Sequence, residues 1–156
     1  MRPSLFKLCG LAAGLAAGLV IALPCAAGTD GAAVYQQICV ACHQAGAVGA
    51  PGLAPSLVGE LSRRADRPAV RAYMAQVVVQ GLQGPIVSEG QSYNSVMPSQ
   101  AQLSDDELAA VLTHVVVGLG GQAQAAPFKP EDISAARATR QSPKALRAQR
   151  EAALGG

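Results

Sequence analysis

The sequence of 156 residues has no tryptophan, only three Tyr and two Phe, and just 14% charged residues. Half of it is apolar, which argues against a disordered chain, and the length suits one compact domain plus extras. A core with so few rings needs another bulky filler, and a cofactor would supply one. Neither sign of charge dominates, since the formal net charge is +2. Residues 30–121 are mildly acidic at net −3, whereas residues 122–156 are basic at net +3. No basic face interleaved with aromatics is present, so nucleic acid is not an expected partner.

Cysteine is scarce as well, and two of its four copies lie near the N-terminus. There, Arg2 and Lys7 precede an apolar run from Leu8 to Leu23, followed by Pro24, Cys25, Ala26 and Ala27. This order of basic, apolar and small residues reads as a signal peptide over residues 1–27, cleaved after Ala27 and directing the chain to the periplasm. The alternative is a retained anchor, because residues 8–27 would just span a bilayer. Gly10, Gly14, Gly18 and Pro24 weaken that helix, and contact with membrane is expected only if the segment stays. Once it is gone, only Cys39 and Cys42 remain, too few for a disulfide framework.

Cys39, Val40, Ala41, Cys42 and His43 form the C-x-x-C-H pattern of covalent c-type haem attachment. Each thiol can join one haem vinyl group, and the histidine that follows is placed to bind iron. A thioredoxin-like redox pair would need βαβ surroundings, which are lacking. A zinc site would need two more ligands from a mature chain with one other His and no other Cys.

For the far side of the iron, the mature chain offers Met74, Met97 and His114. Met97 precedes Pro98, which disfavours helix at Met97 and favours an extended loop able to present sulfur. Met74 falls among Val70, Tyr73, Val77 and Val78 in a predicted helix and reads as packing. His114 falls to one side of the stripe of Leu108, Val111, Leu112, Val115, Val116 and Leu119. Val48, Leu53, Leu57, Val77, Val96 and Leu103 are candidates for the apolar shell.

Helix signals bracket these residues. Asp30 precedes a helix leading into the haem motif, Pro68 starts a second that ends near Gly81, and Ser104 with Glu107 makes a capping box for a third ending near Gly118. Gly/Pro-rich loops lie between them, no strand pattern of useful length appears, and the expected fold is all-α. The chain divides into the signal peptide, a haem domain over residues 28–121, and a linker with a basic extension over residues 122–156. Helical starts occur in that extension at Pro130 and at Ser142 with Pro143. Two states are expected for it: a solvated, loosely packed appendage, or a docking arm disordered until it meets an acidic partner.

Over about residues 30–121 these ordered motifs resemble class I cytochrome c, in particular the small bacterial periplasmic monohaem type found also as a haem subunit or domain of dehydrogenase and oxidase systems. The resemblance implies the class I fold, helices wrapped around one covalently bound haem c. It implies that Gly31 and Tyr35 pack against the C-terminal helix, where this chain has His114 in place of the family's aromatic. Pro55, Ser56, Leu57, Val58 and Gly59 are similar to the family's proline loop, implying that the Pro55 carbonyl accepts a hydrogen bond from His43. The stretch from Gly81 to Pro98 is similar to the segment that delivers the distal methionine. Candidate haem contacts are therefore Cys39, Cys42, Pro55, Leu57 and Tyr93, with His43 and Met97 on iron.

Two protein ligands leave no position for substrate, so the expectation is a non-enzymatic one-electron carrier whose partners are redox proteins, a dehydrogenase or an oxidase. Two alternatives stand beside it: a haem subunit held in a larger oxidoreductase, and a haem enzyme whose distal ligand exchanges.

Overall fold

The computed structural model describes residues 28–155, so the segment expected to be a signal peptide, residues 1–27, lies outside the described residues. Asp30 opens the first helix by accepting the amide hydrogens of Ala32 and Ala33, at 2.9 and 3.3 Å. That helix runs as α1 (Gly31–Val34), widens into a π-helical turn (Tyr35–Cys39) and continues as α2 (Val40–His43). A short α3 (Glu60–Arg63) follows, and then α4 (Pro68–Gln80), which Pro68 starts and Gly81 terminates. The strands β1 (Ile86–Ser88) and β2 (Gln91–Tyr93) pair antiparallel, with Ile86 opposite Tyr93. Next comes α5 (Asp105–Thr113), prolonged by a second π-helical turn (His114–Leu119), and then α6 (Pro130–Ala138) and α7 (Pro143–Leu154). The expected capping box is formed: Ser104 Oγ accepts from the Glu107 amide at 3.2 Å, while Glu107 Oε2 accepts from the Ser104 amide at 2.7 Å.

The fold is mostly helical, in line with the expected all-α architecture, with one two-stranded sheet among the described residues. The β1–β2 hairpin is the element that sequence periodicity missed. Its strands are three residues long, too short to display alternation, and Glu89 with Gly90, both at positive φ, make the two-residue turn.

The first helix crosses α5 at backbone distance. A Cβ on Gly31 would overlap the Ala110 carbonyl oxygen, so no side chain fits there. Beside this crossing Tyr35 is wholly buried, its hydroxyl donating to the Gln44 carbonyl at 2.7 Å, and the His114 ring lies 6.0 Å from it, centroid to centroid. The imidazole thus takes the place that the resemblance gives to an aromatic.

Residues 122–155 correct the expectation of a solvated or disordered arm. Phe128, Ile133, Ala136, Leu146, Ala153 and Leu154 are buried in the same apolar cluster as Val70, Tyr73 and Leu112 of α4 and α5. Polar contacts fasten the segment along its length. Arg71 caps the Phe128 ring at 3.9 Å and donates to the Ala126 and Pro127 carbonyls, both at 2.9 Å. Arg137 joins Asp105 at 2.6 Å and donates to the Ala101 and Leu103 carbonyls at 2.9 and 2.5 Å. Arg147 donates to the Gln83 carbonyl at 2.5 Å, and Arg64 reaches the Leu154 carbonyl. Two of the six basic side chains of the extension, Arg137 and Arg147, are thus engaged with the rest of the protein.

Ile133 is fully buried, whereas Lys144 is exposed on α7. Ile133→Ala should lower the unfolding free energy by about 2–5 kcal/mol in denaturant titration, and Lys144→Ala should change it by no more than about 0.5 kcal/mol.

Candidate functional site

A cavity lies between α2, α4, α5, α7 and the two Gly/Pro-rich loops. Cys39, Cys42, Pro55, Leu57, Tyr93, His43 and Met97, all seven site residues expected from sequence, line it. Of the shell candidates, Leu53, Leu57, Val77 and Val96 line it as well. Val48 is instead 62% exposed, and Leu103 packs with the apolar clusters away from the cavity wall. Met74 also lines the cavity from α4, so its burial serves the wall as well as the core.

Position along the helix sets the thiols. Cys39 and Cys42 are separated by one helical turn at the junction of the π-helical turn with α2, so both face the same side. Cys42 is exposed and Cys39 half-buried. Burial, reinforced by the neighbouring Cys42, pushes the Cys39 thiol up to about 11, so it stays protonated at neutral pH.

His43 ends α2, is buried, and has its Nδ1 3.0 Å from the Pro55 carbonyl oxygen. A carbonyl can only accept, so Nδ1 carries the proton and Nε2 is left with the free lone pair. Burial holds the imidazole below its ordinary pKa, against the smaller upward pull of the Pro55 carbonyl. The ring is therefore neutral at pH 7 and competent as a metal ligand. The proline loop is itself braced, since the Leu57 amide donates to Ala47 at 2.9 Å and Ser62 Oγ donates to the Leu57 carbonyl at 2.6 Å.

Met97 sits on an extended segment, as Pro98 requires, and that segment is clamped to the end of α4. Its amide and carbonyl each bond to Leu82 at 2.9 Å. Gln100 and Ser99 add bonds to the Val78 and Val79 carbonyls, at 2.9 and 2.6 Å. The close approach depends on Gly81, whose φ is 77° and whose added Cβ would meet the Met97 carbonyl oxygen at 2.5 Å. A flexible thioether is thus carried on a rigid backbone.

Sequence reasoning missed two cavity-lining residues of a different character, Tyr73 of α4 and Arg150 of α7. Burial pushes the Tyr73 hydroxyl up to about 12, opposed by a charge and a hydrogen bond from Arg150. The signal for Arg150 was in its spacing: Leu146, Arg150, Ala153 and Leu154 fall on one helical stripe, with an arginine in an otherwise apolar series.

Among the described residues no three His, Cys, Asp or Glu side chains converge as a metal cluster, and no helix is long and apolar enough to cross a membrane. What the cavity suits is a flat, largely apolar group joined through sulfur and open to a neutral imidazole. The class so defined is the c-type cytochromes.

Comparison with known proteins agrees. The family profile described as cytochrome C oxidase, cbb3-type, subunit III matches residues 26–115. A cytochrome c-552 of Thermus thermophilus is 39% identical over 125 residues, covering 78% of this chain and 95% of that protein. A second cytochrome c-552, from a particular strain of the same species, is also 39% identical over 125 residues, with 84% of its length covered. The chain belongs to this cytochrome c family, binds haem c covalently, and is a haem-based electron carrier.

Gly81→Ala places a side chain at a strained backbone angle and against the Met97 carbonyl. It should lower the unfolding free energy by about 1–3 kcal/mol in denaturant titration.

Proposed function

We propose that the protein is a periplasmic one-electron carrier, released by cleavage after Ala27, that runs between a donor dehydrogenase or cytochrome complex and a terminal acceptor. His43 and Met97 are the residues that would hold its iron. The observation that carries this reading is the meeting of Cys39, Cys42, His43 and Met97 on one predominantly apolar cavity wall. Haem iron bound there supplies a one-electron ferric/ferrous couple.

The chain's own residues do the rest. Cys39 and Cys42 fix the haem by two covalent bonds that persist in both oxidation states. The Pro55 carbonyl orients the His43 ring and raises its basicity. Met97 offers a thioether, which favours the reduced metal, and Leu57, Val77 and Val111 keep water from the site and disfavour the extra charge of the ferric form. With both His43 and Met97 on the iron, no position there would be left for a substrate, and the group would supply one-electron transfer alone.

A second reading, a haem subunit held in a larger oxidoreductase, draws support from the family description naming an oxidase subunit. Size-exclusion chromatography of native extracts distinguishes the two: a carrier elutes as a monomer, a subunit with its complex.

Haem should remain attached on denaturing gels and through acid–acetone extraction. Met97→Ala should abolish the weak red absorption of ferric iron–sulfur bonding and lower the reduction potential, whereas Met74→Leu should leave both in place. Persistence of that band in Met97→Ala would remove Met97 from the iron. Intact mass of the exported form should lack residues 1–27.

A further inference from the structure

Ile86, Tyr93, Ser95 and Val96 line the cavity, yet among the described residues none of 83–96 belongs to either apolar cluster. The stretch that covers this side of the cavity is thus not held by core packing. Its two ends are fixed: Arg147 donates to the Gln83 carbonyl and lies against Gly84, and Met97 is paired with Leu82. Between those ends the β1–β2 hairpin reaches across to the loop that carries Pro55, and among the described residues no backbone hydrogen bond joins 84–96 to 44–64. Two side-chain contacts make the crossing instead. Ser95 Oγ donates to the Leu53 carbonyl, and at the hairpin tip Arg63 donates to Glu89 Oε1 at 2.9 Å. The Glu89 carboxylate also covers Gly59, where an added Cβ would meet it at 2.5 Å. Elsewhere the hairpin and the loop enclose a hollow of about 280 Å³, with Val48, Pro51 and Ser56 on one side and Ser88, Gln91 and Tyr93 on the other.

A segment with few buried apolar contacts opens far more often than the fold as a whole unfolds. An exposed ion pair and one hydrogen bond resist that opening only modestly. Gly84, at φ 88°, gives the segment a pivot beside its fixed end. The mouth lies where Leu53 and Val96 stand 47% and 63% exposed. We propose that residues 84–96 form a gate over this mouth, latched by the Glu89–Arg63 and Ser95–Leu53 contacts, and that the latches set how fast a small neutral base from solvent reaches the iron. Glu89 and Ser95 are then positioning residues, acting through the segment they hold rather than on the metal. Met97 stays paired with Leu82 while the gate is open, so its thioether returns to the same place on closure. The entering base replaces the thioether as an electron-pair donor: one iron–sulfur bond breaks, one iron–nitrogen bond forms, and no electron is gained or lost. The proposal rests on the covalent haem and on the His43 and Met97 reading above.

The test uses the ferric holoprotein, with covalent haem verified on denaturing gels, and imidazole as the probe. Ser95→Ala should speed imidazole binding at a fixed concentration about fivefold, and Glu89→Gln about twofold. Added salt should speed binding to wild type and to Ser95→Ala by screening the ion pair, and should leave Glu89→Gln unchanged. Hydrogen exchange of the hairpin amides, residues 86–93, should quicken by the same factors in the same variants, while exchange in α4 stays as in wild type. Arg63→Gln breaks the same ion pair from its other side and decides if Glu89→Gln does not accumulate. Either readout staying at the wild-type rate in both variants overturns the gate. An imidazole-binding rate unaffected by Met97→Ala would instead overturn the ligand reading, and the exchange measurements then decide the gate alone.

Discussion

The structure hangs on the burial of α4. Seven of its thirteen residues are buried, and α5, α6 and α7 all pack against it. A helix enclosed on so many sides cannot tilt or slide without opening several apolar contacts at once. The Leu82–Met97 backbone pair is fastened to its carboxyl end, so the placement of the thioether inherits that rigidity. The histidine side is fixed independently, through the Gly31–Ala110 helix crossing and the Pro55 carbonyl. One wall is thus set by the first helix and its loop, the other by α4, and the cavity forms where the two assemblies meet.

What could be read from sequence tracks how local each determinant is. Cys39, Cys42 and His43 lie within one turn and a half of helix, so their spacing alone declares their geometry. The extended backbone that brings Met97 to the cavity wall was legible from Pro98, in a chain poor in methionine and histidine. The capping box at Ser104 and the Pro68 start were legible because helix ends are satisfied by side chains a few residues away.

The remainder was opaque for equally physical reasons. The hairpin has strands too short for a period to emerge. The packing of α6 and α7 depends on a few well-spaced residues, such as Ile133 and Leu146, meeting a surface far away in sequence, and a composition rich in Ala, Arg and Gln resembles that of a solvated helix. Arg150 was hidden for a different reason. Counted with the other basic residues of the extension it suggests a surface charge, and only its place on the stripe with Leu146 and Leu154 turns it inward.

The contact of Arg64 with the Leu154 carbonyl, ninety residues further on, also bears on the order in which the molecule is made. The attachment cysteines precede the α7 wall of the same cavity along the chain, with α4, α5 and α6 between them. No growing chain can close the pocket before α7 is free. Closure of the slot by α7 is therefore a long-range step, and until it is taken the cavity that Cys39 and Cys42 line is open on one side.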